Sequence, residues 1–275
     1  MLYLVSTPIG NLGDFSPRAK EVLESADLVA CEDTRTSHQL FNLLGIKVQA
    51  TTPYHDHNAD QARPKLIQKL KQGMTIALVS DAGTPLVSDP GYKLVRDCLA
   101  QNIKVSTVPG ANAVLSALQL SGLSSANFYF GGFLPVKQNA RREELEKVKS
   151  LSATLIFYES PNRLIKTLKD MVAIYSSREA TIVREITKKF EETKKDTLNN
   201  LLDYYTQNGA PKGELVIVVE GNIHPTQMAT DWNTLIPTVR PKYPLKEAAQ
   251  ILATQTGISK KQAYQQILDY EKNKL

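Results

Sequence analysis

Short apolar runs alternate with helical patterns from the first residue to about residue 220, and this alternation limits the possible folds more than any other feature. In the first part of the chain, apolar runs indicate strands at residues 2–6, 28–31, 75–80 and 104–108. Between them, a capping Ser16 before Pro17 starts one predicted helix, and a leucine stripe over residues 34–44 predicts another that stops at Gly45. Such alternation is typical of an α/β fold with a mostly parallel sheet and helices on its faces.

A second series of strands and helices follows a break near residue 110. Its strands are predicted at residues 128–130, 154–158, 180–184 and 214–219, and its helices at residues 111–121, 143–150, 163–175 and 198–205. We therefore predict two α/β domains, residues 1–110 and 111–221.

The remaining residues, 222–275, form a third region. Four prolines between residues 222 and 244 predict a linker rather than an element. Two helices joined by a tight turn, a helix-turn-helix-like extension, are predicted at residues 245–254 and 260–272. Their small core is expected to contain Ala248, Ala249, Leu252, Ala263, Ile267 and Leu268.

Composition and motifs exclude several classes of protein. Apolar runs fall far short of the roughly 18 residues that a membrane span needs, and we expect no membrane partner. Residues 1–6 are strand-like and lack a basic leader, so we expect a cytoplasmic protein. Phosphate-loop, G-x-G-x-x-G, G-x-S-x-G and H-E-x-x-H motifs are absent, which argues against ATP-driven, Rossmann and serine-hydrolase chemistry. Two cysteines, Cys31 and Cys98, cannot form a disulfide framework.

One histidine-containing motif resembles a metal site. His55-Asp56-His57 is flanked by Pro53 and Asn58, a composition more typical of a solvated loop. We therefore expect no metal.

Four loops rich in small residues directly follow predicted strands. They cover residues 7–14, 32–35, 80–91 and 109–113. Each loop alone has an ordinary interpretation, since Gly and Pro form turns while Asp and Ser cap helices. Open α/β sheets bind ligands at the carboxyl ends of their strands, so four such loops together favour a ligand site.

The third of these loops carries the most specific motif, S-D-A-G-T-P-L-V-S-D-P-G at residues 80–91. It is similar to the signature of a bacterial branch of the tetrapyrrole methylase superfamily. Matching segments at residues 4–14, 31–35, 108–111, 132–135, 157–161, 184–188 and 213–214 extend the resemblance over residues 2–221, and the tail from residue 237 resembles that branch's small extension.

This resemblance implies an S-adenosylmethionine-dependent enzyme with its cofactor in the cleft between two α/β domains. The implied reaction is methylation of the ribose 2′-hydroxyl of a cytidine in the decoding region of 16S rRNA, in the small ribosomal subunit, by a homodimer. The implied cofactor-pocket residues, most of them acting through their backbone, are Pro8, Ile9, Asp81, Ala82, Thr84, Pro85, Val87, Asn112, Ala113, Tyr158 and Leu215. Asp81 is expected to bind the cofactor through its carboxylate, with capping of the turn before Gly83 as its alternative role.

Methyl transfer to an alcohol also needs a group that removes the hydroxyl proton. Glu32, Asp33 and Arg35 are the candidates on the first domain, faced by Glu185 and Lys188 on the second. Glu32 or Asp33 is the candidate base, while Arg35 and Lys188 are candidates for binding phosphates or stabilising an alkoxide. Alternatively, Glu185 pairs with Arg35 and holds the cleft together.

Basic residues are the candidates for rRNA contact. A net charge of +5 permits a polyanionic partner, and residues 222–275 hold seven Lys and Arg against four Asp and Glu. The candidate clusters are Arg141-Arg142, Arg163, Lys188-Lys189, Lys194-Lys195, Lys242 and Lys260-Lys261. Such basic pairs are alternatively ordinary solvent-exposed residues with no partner role. For the tail, the alternatives to binding rRNA are packing on the body of the protein and completing a dimer.

Two other functions stay open at this point. One is a superfamily enzyme that methylates a tetrapyrrole or a modified protein side chain. The other is a non-catalytic ribosome assembly factor that keeps the cofactor fold.

Overall fold

A computed structural model describes residues 1–222, 232–256 and 258–272 of the 275-residue chain. The chain divides into two compact units, one of Met1–Lys149 with Ala153–Gly221 and one of Ser150–Ser152 with Asn222–Leu275. Within the described ranges, no helix is both long and apolar enough to cross a membrane.

The first sheet of the first unit is entirely parallel, where the sequence predicts a mostly parallel sheet. Its strands are β1 (Leu2–Val5), β2 (Leu28–Cys31), β3 (Thr51–Pro53), β4 (Ile76–Val79) and β5 (Val105–Val108), in the order β3-β2-β4-β1-β5. Four helices accompany it: α1 (Pro17–Ser25), α2 (Thr34–Leu44), α3 (Ala59–Lys71) and α4 (Tyr92–Ala100). Ser16 caps α1 and a left-handed Gly45 ends α2, which confirms both predicted helix ends.

The second sheet is mixed rather than parallel. It contains β6 (Phe128–Phe133), β7 (Thr154–Glu159), β8 (Glu179–Arg184), β9 (Glu192–Thr197) and β10 (Leu215–Val219), in the order β6-β7-β10-β8-β9. Only β6 and β7 run parallel. The accompanying helices are α5 (Ala113–Ser121), α6 (Gln138–Val148), α7 (Pro161–Tyr175) and α8 (Leu198–Asn208).

Helices cover both faces of each sheet, so the central strands β2, β4 and β10 are fully buried. On the second sheet, α5 packs on the face that includes Ile156 and Val216, while α6, α7 and α8 pack on the face that includes Phe157 and Ile217. This burial explains the continuous apolar runs of the sequence. The assignment of residues 1–110 and 111–221 to separate domains stays a prediction.

The second unit is helical, with α9 (Trp232–Val239), α10 (Leu245–Thr256) and α11 (Lys260–Lys272). The linker prediction is wrong for residues 232–239, because Ile236 and Val239 of α9 are buried against the other two helices despite Pro237 within α9. Residues 223–231 of the predicted linker and Gly257 of the predicted turn lie outside the described residues. The predicted core is confirmed apart from Leu268, which is only partly buried.

A buried ion pair joins α6 to α7 and corrects one prediction about RNA contact. The Arg141 side chain is 4% exposed, and its Nη2 lies 2.6 Å from Oδ2 of the fully buried Asp170. Arg142, 49% exposed, places Nε 2.7 Å from the other carboxylate oxygen. Phosphate binding by Arg141 is therefore wrong, because this guanidinium has almost no surface to offer.

We predict that Asp170→Asn lowers the free energy of unfolding by about 3–5 kcal/mol, since it leaves the buried Arg141 charge uncompensated. The matched control is Arg142→Ala, which removes the half-exposed partner and is expected to cost about 1 kcal/mol or less. Urea unfolding followed by circular dichroism measures both values. Equal losses in the two variants would contradict the assignment of Asp170 and Arg141 as the structural pair.

Candidate active site

A cavity of about 450 Å³ is lined by loops of both sheets in the first unit. Nine of the predicted cofactor-pocket residues line it: Ile9, Asp81, Ala82, Thr84, Val87, Asn112, Ala113, Tyr158 and Leu215. Pro8 and Pro85, both buried, do not line it. The structure thus brings together residues that are up to about 200 positions apart in the chain, although their contact with a cofactor stays a prediction.

Hydrogen bonds from backbone amides and one side-chain hydroxyl join three of the loops into one platform. Thr7 N–H donates to the Gly83 carbonyl at 2.8 Å, and Gly83 N–H donates back to the Thr7 carbonyl at 3.1 Å. The Thr84 hydroxyl donates to the Ala111 carbonyl at 3.1 Å. The loops after β1, β4 and β5 are therefore held in one fixed arrangement.

The loop after β4 is held in an unusual backbone conformation. Leu86 and Ser88 have φ values of +73° and +68°, which side-chain-bearing residues rarely adopt. At Gly91, with φ +132°, a Cβ would lie 2.8 Å from side-chain atoms of both Leu78 and Leu86. Strain of this kind concentrates at functional sites, where the surrounding structure enforces it.

Three of the five carboxylates that line the cavity, Glu32, Asp81 and Asp89, come from the loops after β2 and β4. The Asp81 N–H donates to Glu32 Oε2 at 3.2 Å, and the Asp33 N–H donates to Asp81 Oδ1 at 3.1 Å, so backbone amides fix the positions of both side chains. Burial raises the pKa of Asp89 to about 6, and the negative charges of Glu32 and Asp81 add to this rise. Desolvation likewise raises the pKa of Glu32 and of Asp81, although Asp81 remains exposed at the cavity rim. A cavity of this character favours a cationic ligand.

Asp33 has a different role from its neighbour Glu32. Its carboxylate caps α2 by accepting the Arg35 N–H at 2.8 Å, and it lies 2.6 Å from Arg35 Nη2. These hydrogen bonds with Arg35 lower the pKa of Asp33 to about 2. The Arg35 side chain itself is 90% exposed. Glu32 lines the cavity and Asp33 does not.

Lys188 links the two halves of the first unit. Its Nζ lies 3.0 Å from Glu185 Oε1 and 2.9 Å from Glu214 Oε2. The Lys188 side chain packs so closely on Gly10 that a Cβ there would overlap it. The ion pair between Glu185 and Arg35 that the sequence left open is wrong, because Glu185 binds Lys188 while Arg35 binds Asp33.

The five residues predicted at the reacting end therefore form two groups. Within residues 1–222, no hydrogen bond or ion pair connects Glu32, Asp33 and Arg35 with Glu185 and Lys188. Only Glu32 of the five lines the cavity. Their catalytic roles stay predictions.

Several cavity residues were missed by the sequence analysis, chiefly Asp89, Phe133, Glu159 and Glu214. A signal for each was present, because all four lie within segments that matched the family pattern. Glu159 is buried, and its Oε1 lies 3.1 Å from Nε of Arg163. Arg163 is one of the residues predicted to contact RNA, and this ion pair engages its guanidinium.

The remaining basic candidates in the first unit also have local partners. Lys195 Nζ lies 3.2 Å from Glu179 Oε2, and Lys194 Nζ lies 3.7 Å from the centroid of the Tyr204 ring. Contact of these lysines with RNA stays a prediction. The His55 and His57 rings are 6.0 Å apart, and no group of three or more His, Cys, Asp or Glu in the described ranges is arranged to hold a metal ion.

Comparison with known proteins agrees with this fold and site. The sequence profile of the Tetrapyrrole (Corrin/Porphyrin) Methylases matches residues 1–202. Among solved structures, the chain is similar to a uroporphyrin-III C-methyl transferase from Thermus thermophilus complexed with S-adenyl homocysteine, with 17% identity, a TM-score of 0.54, and coverage of 80% of this chain and 97% of that one. The fold and the site thus define a methylase of the tetrapyrrole type.

Two curated relatives narrow the class. A protein of Mesorhizobium japonicum is 48% identical over 98% of this chain and 91% of its own length, and one of Escherichia coli O157:H7 is 41% identical over 98% and 95%. Both carry the name Ribosomal RNA small subunit methyltransferase I. The chain belongs to this family of ribosomal RNA small subunit methyltransferases, and the predicted use of S-adenosylmethionine is confirmed.

The residues of the cavity fit this cofactor. At neutral pH, S-adenosylmethionine carries a sulfonium and an ammonium against one carboxylate, so the acidic groups Glu32, Asp81 and Asp89 complement its net positive charge. Ile9 and Leu215 contribute apolar surface to the cavity wall, and the volume lies within the range of ordinary cofactor pockets.

We predict that the affinity for S-adenosylmethionine falls by up to about fourfold between pH 7.5 and pH 5.5, because Asp89 with a pKa of about 6 loses most of its negative charge over that interval. Asp89→Asn is expected to bind more weakly at pH 7.5 and to lose most of this dependence. Isothermal titration calorimetry at both pH values measures the effect, with Glu24→Gln on the surface as the control. A dependence that survives in Asp89→Asn would assign the titration to other groups.

Proposed function

We propose that this chain methylates the ribose 2′-hydroxyl of a cytidine in the decoding region of 16S rRNA, with S-adenosylmethionine as the methyl donor. The proposal includes action as a homodimer in the cytoplasm, on the small ribosomal subunit. The observation that carries the chemical part is the position of Glu32, a carboxylate with a raised pKa in the wall of an acidic cavity. The choice of nucleotide is supported by the resemblance of the sequence segments.

A ribose hydroxyl is a weak acid, so its oxygen becomes a good nucleophile only as a base takes its proton. When bound, S-adenosylmethionine supplies an electrophilic methyl group on a positively charged sulfur. Glu32 accepts the hydroxyl proton while the oxygen forms its new bond to carbon and the carbon–sulfur bond breaks. Asp33, with a pKa of about 2 and its oxygens bound by Arg35, is the weaker base.

The exposed Arg35 is the candidate phosphate ligand next to the site. Its side chain is 90% exposed and held by Asp33, which orients the guanidinium without burying it. Lys188 is less suited to that task, because its Nζ is already bound by Glu185 and Glu214. We assign Lys188 and Glu185 to holding the loops of the two sheets together around the cavity.

The experiment that tests the proposal is transfer of labelled methyl from S-adenosylmethionine to small subunits that lack the modification, with the product mapped by 2′-O-methyl-sensitive sequencing. One ribose-methylated cytidine in the decoding region is the expected result. Labelling on a base would contradict the 2′-hydroxyl assignment. Tight cofactor and subunit binding without any transfer would favour the assembly-factor alternative.

We predict that Glu32→Gln lowers the single-turnover rate of methyl transfer by about 10²–10⁴-fold, the usual contribution of a general base, with subunit affinity nearly unchanged. Asp33→Asn is the matched control on the adjacent residue and is expected to lose much less. Rates at saturating cofactor and subunit separate chemistry from binding. A larger loss in Asp33→Asn than in Glu32→Gln would reverse the assignment of the base.

The tail supplies a second contact with RNA in this proposal. Lys260 and Lys261 are both exposed at the start of α11. We predict that the double variant Lys260→Glu with Lys261→Glu weakens binding to small subunits at least tenfold at low salt and flattens the salt dependence of binding, since contacts to phosphate release counterions. The charge reversal Lys272→Glu, at the other end of α11, is the control. Unchanged affinity would leave packing or dimerisation as the role of the tail.

A further inference from the structure

A bulge in β6 turns one aromatic side chain into the wall of the cavity. Phe130 is paired with Ile156 of β7, whereas Phe133 is paired with Tyr158, so three steps on β6 match two steps on β7. In an uninterrupted strand, residues three apart point to opposite faces of the sheet. The extra residue in β6 instead places Phe133 on the same face as Phe130 and Tyr158. Bulges commonly re-aim a side chain in this way next to active sites.

The two residues between these phenylalanines, Gly131 and Gly132, permit the bulge. Gly132 has φ +62°, in the left-handed region that glycine adopts at little cost. At Gly131, a Cβ would overlap the ring of the buried Phe157. The two glycines therefore favour the bulge that positions Phe133 over a regular strand.

Phe133 differs from the other aromatic residues of the cavity in its exposure. Its ring lies 5.2 Å from that of Tyr158, which in turn lies 5.0 Å from the ring of Phe130. Phe130 and Tyr158 are partly buried against the core under α5, whereas Phe133 is 61% exposed. One side of the Phe133 ring is thus supported by a neighbour while much of its surface faces solvent at the cavity.

We propose that Phe133 is a stacking platform for a base of the RNA substrate at the mouth of the cavity, and so a positioning residue for methyl transfer. Single-stranded RNA is recognised largely through bases that stack on aromatic side chains. A base that stacks on an exposed ring beside the cavity would hold its own or a neighbouring ribose at a fixed place relative to the site. This inference rests on the proposed function.

The test compares Phe133→Tyr, which keeps an aromatic ring, with Phe133→Leu, which keeps apolar bulk without one. Phe128→Leu is the control, since Phe128 lies on the same strand, is 44% exposed and does not line the cavity. Binding to unmodified small subunits in the presence of S-adenosylhomocysteine is measured for each variant, together with KM and kcat for transfer. Affinity for S-adenosylhomocysteine alone and the mass in solution are measured in parallel.

Loss of one stacked base corresponds to about five- to 150-fold in affinity. Phe133→Leu is therefore expected to weaken subunit binding and to raise KM by that factor, with cofactor affinity within about twofold of wild type, while Phe133→Tyr and Phe128→Leu behave like wild type. An equal loss of cofactor affinity would assign the ring to the cofactor instead. A changed mass in solution would assign it to an interface between copies of the chain. Unchanged subunit binding in Phe133→Leu would overturn the proposal.

Subunit binding does not depend on which atom is methylated. If the wild-type enzyme binds subunits but does not methylate ribose, the proposed function is refuted. The binding of the Phe133 variants would still show whether this ring contacts the RNA.

Discussion

Two reciprocal backbone hydrogen bonds between Thr7 and Gly83 are the interaction on which the candidate site depends. They join the loop after β1 to the loop after β4, whose strands are neighbours in the parallel sheet. Parallel strands bring their carboxyl ends to one edge, and the hydrogen bonds then fix the loops that leave that edge. Because the bonds are between backbone groups, the side chains at the cavity are left free to meet a ligand.

The electrostatics of the cavity follow from this arrangement. Glu32, Asp81 and Asp89 come from two adjacent strand ends, and they are placed together where burial works against their negative charge. A cluster of this kind is unfavourable without a counter-charge. Within residues 1–222, no Lys or Arg lines the cavity, and the nearby cation Arg35 is bound to Asp33 on the surface. A cationic ligand relieves this repulsion, so the charge pattern selects for a sulfonium cofactor over a neutral molecule of similar size.

The sequence predicted those parts of the fold that depend on local patterns. The apolar runs of the buried strands, the Ser16 cap and Gly45 were sufficient to place the elements around them. The family resemblance that rests on the signature at residues 80–91 led to about half of the residues that line the cavity. The polar edge strand β9 and the short β3 lacked an apolar signal. Residues 232–239 were mistaken for a linker because prolines outweighed the apolar residues that pack in α9.

Other features depended on partners that no local pattern reveals. In the sequence, Arg141 has the appearance of a surface cation. In the structure it is buried in an ion pair with Asp170, which lies 29 residues further along the chain. Glu32 and Asp33 are adjacent and chemically alike, and only the three-dimensional contacts of Asp33 with Arg35 separate their roles. The position of Phe133 likewise depends on the register between β6 and β7.

A crystal structure with bound S-adenosylhomocysteine shows whether the loops joined by Thr7 and Gly83 form the cofactor site. We expect the ligand in the 450 Å³ cavity, with its ammonium group at the carboxylates of the loop after β4 and its adenine against the apolar wall near Leu215. A ligand bound at another surface, with this cavity empty, would contradict it.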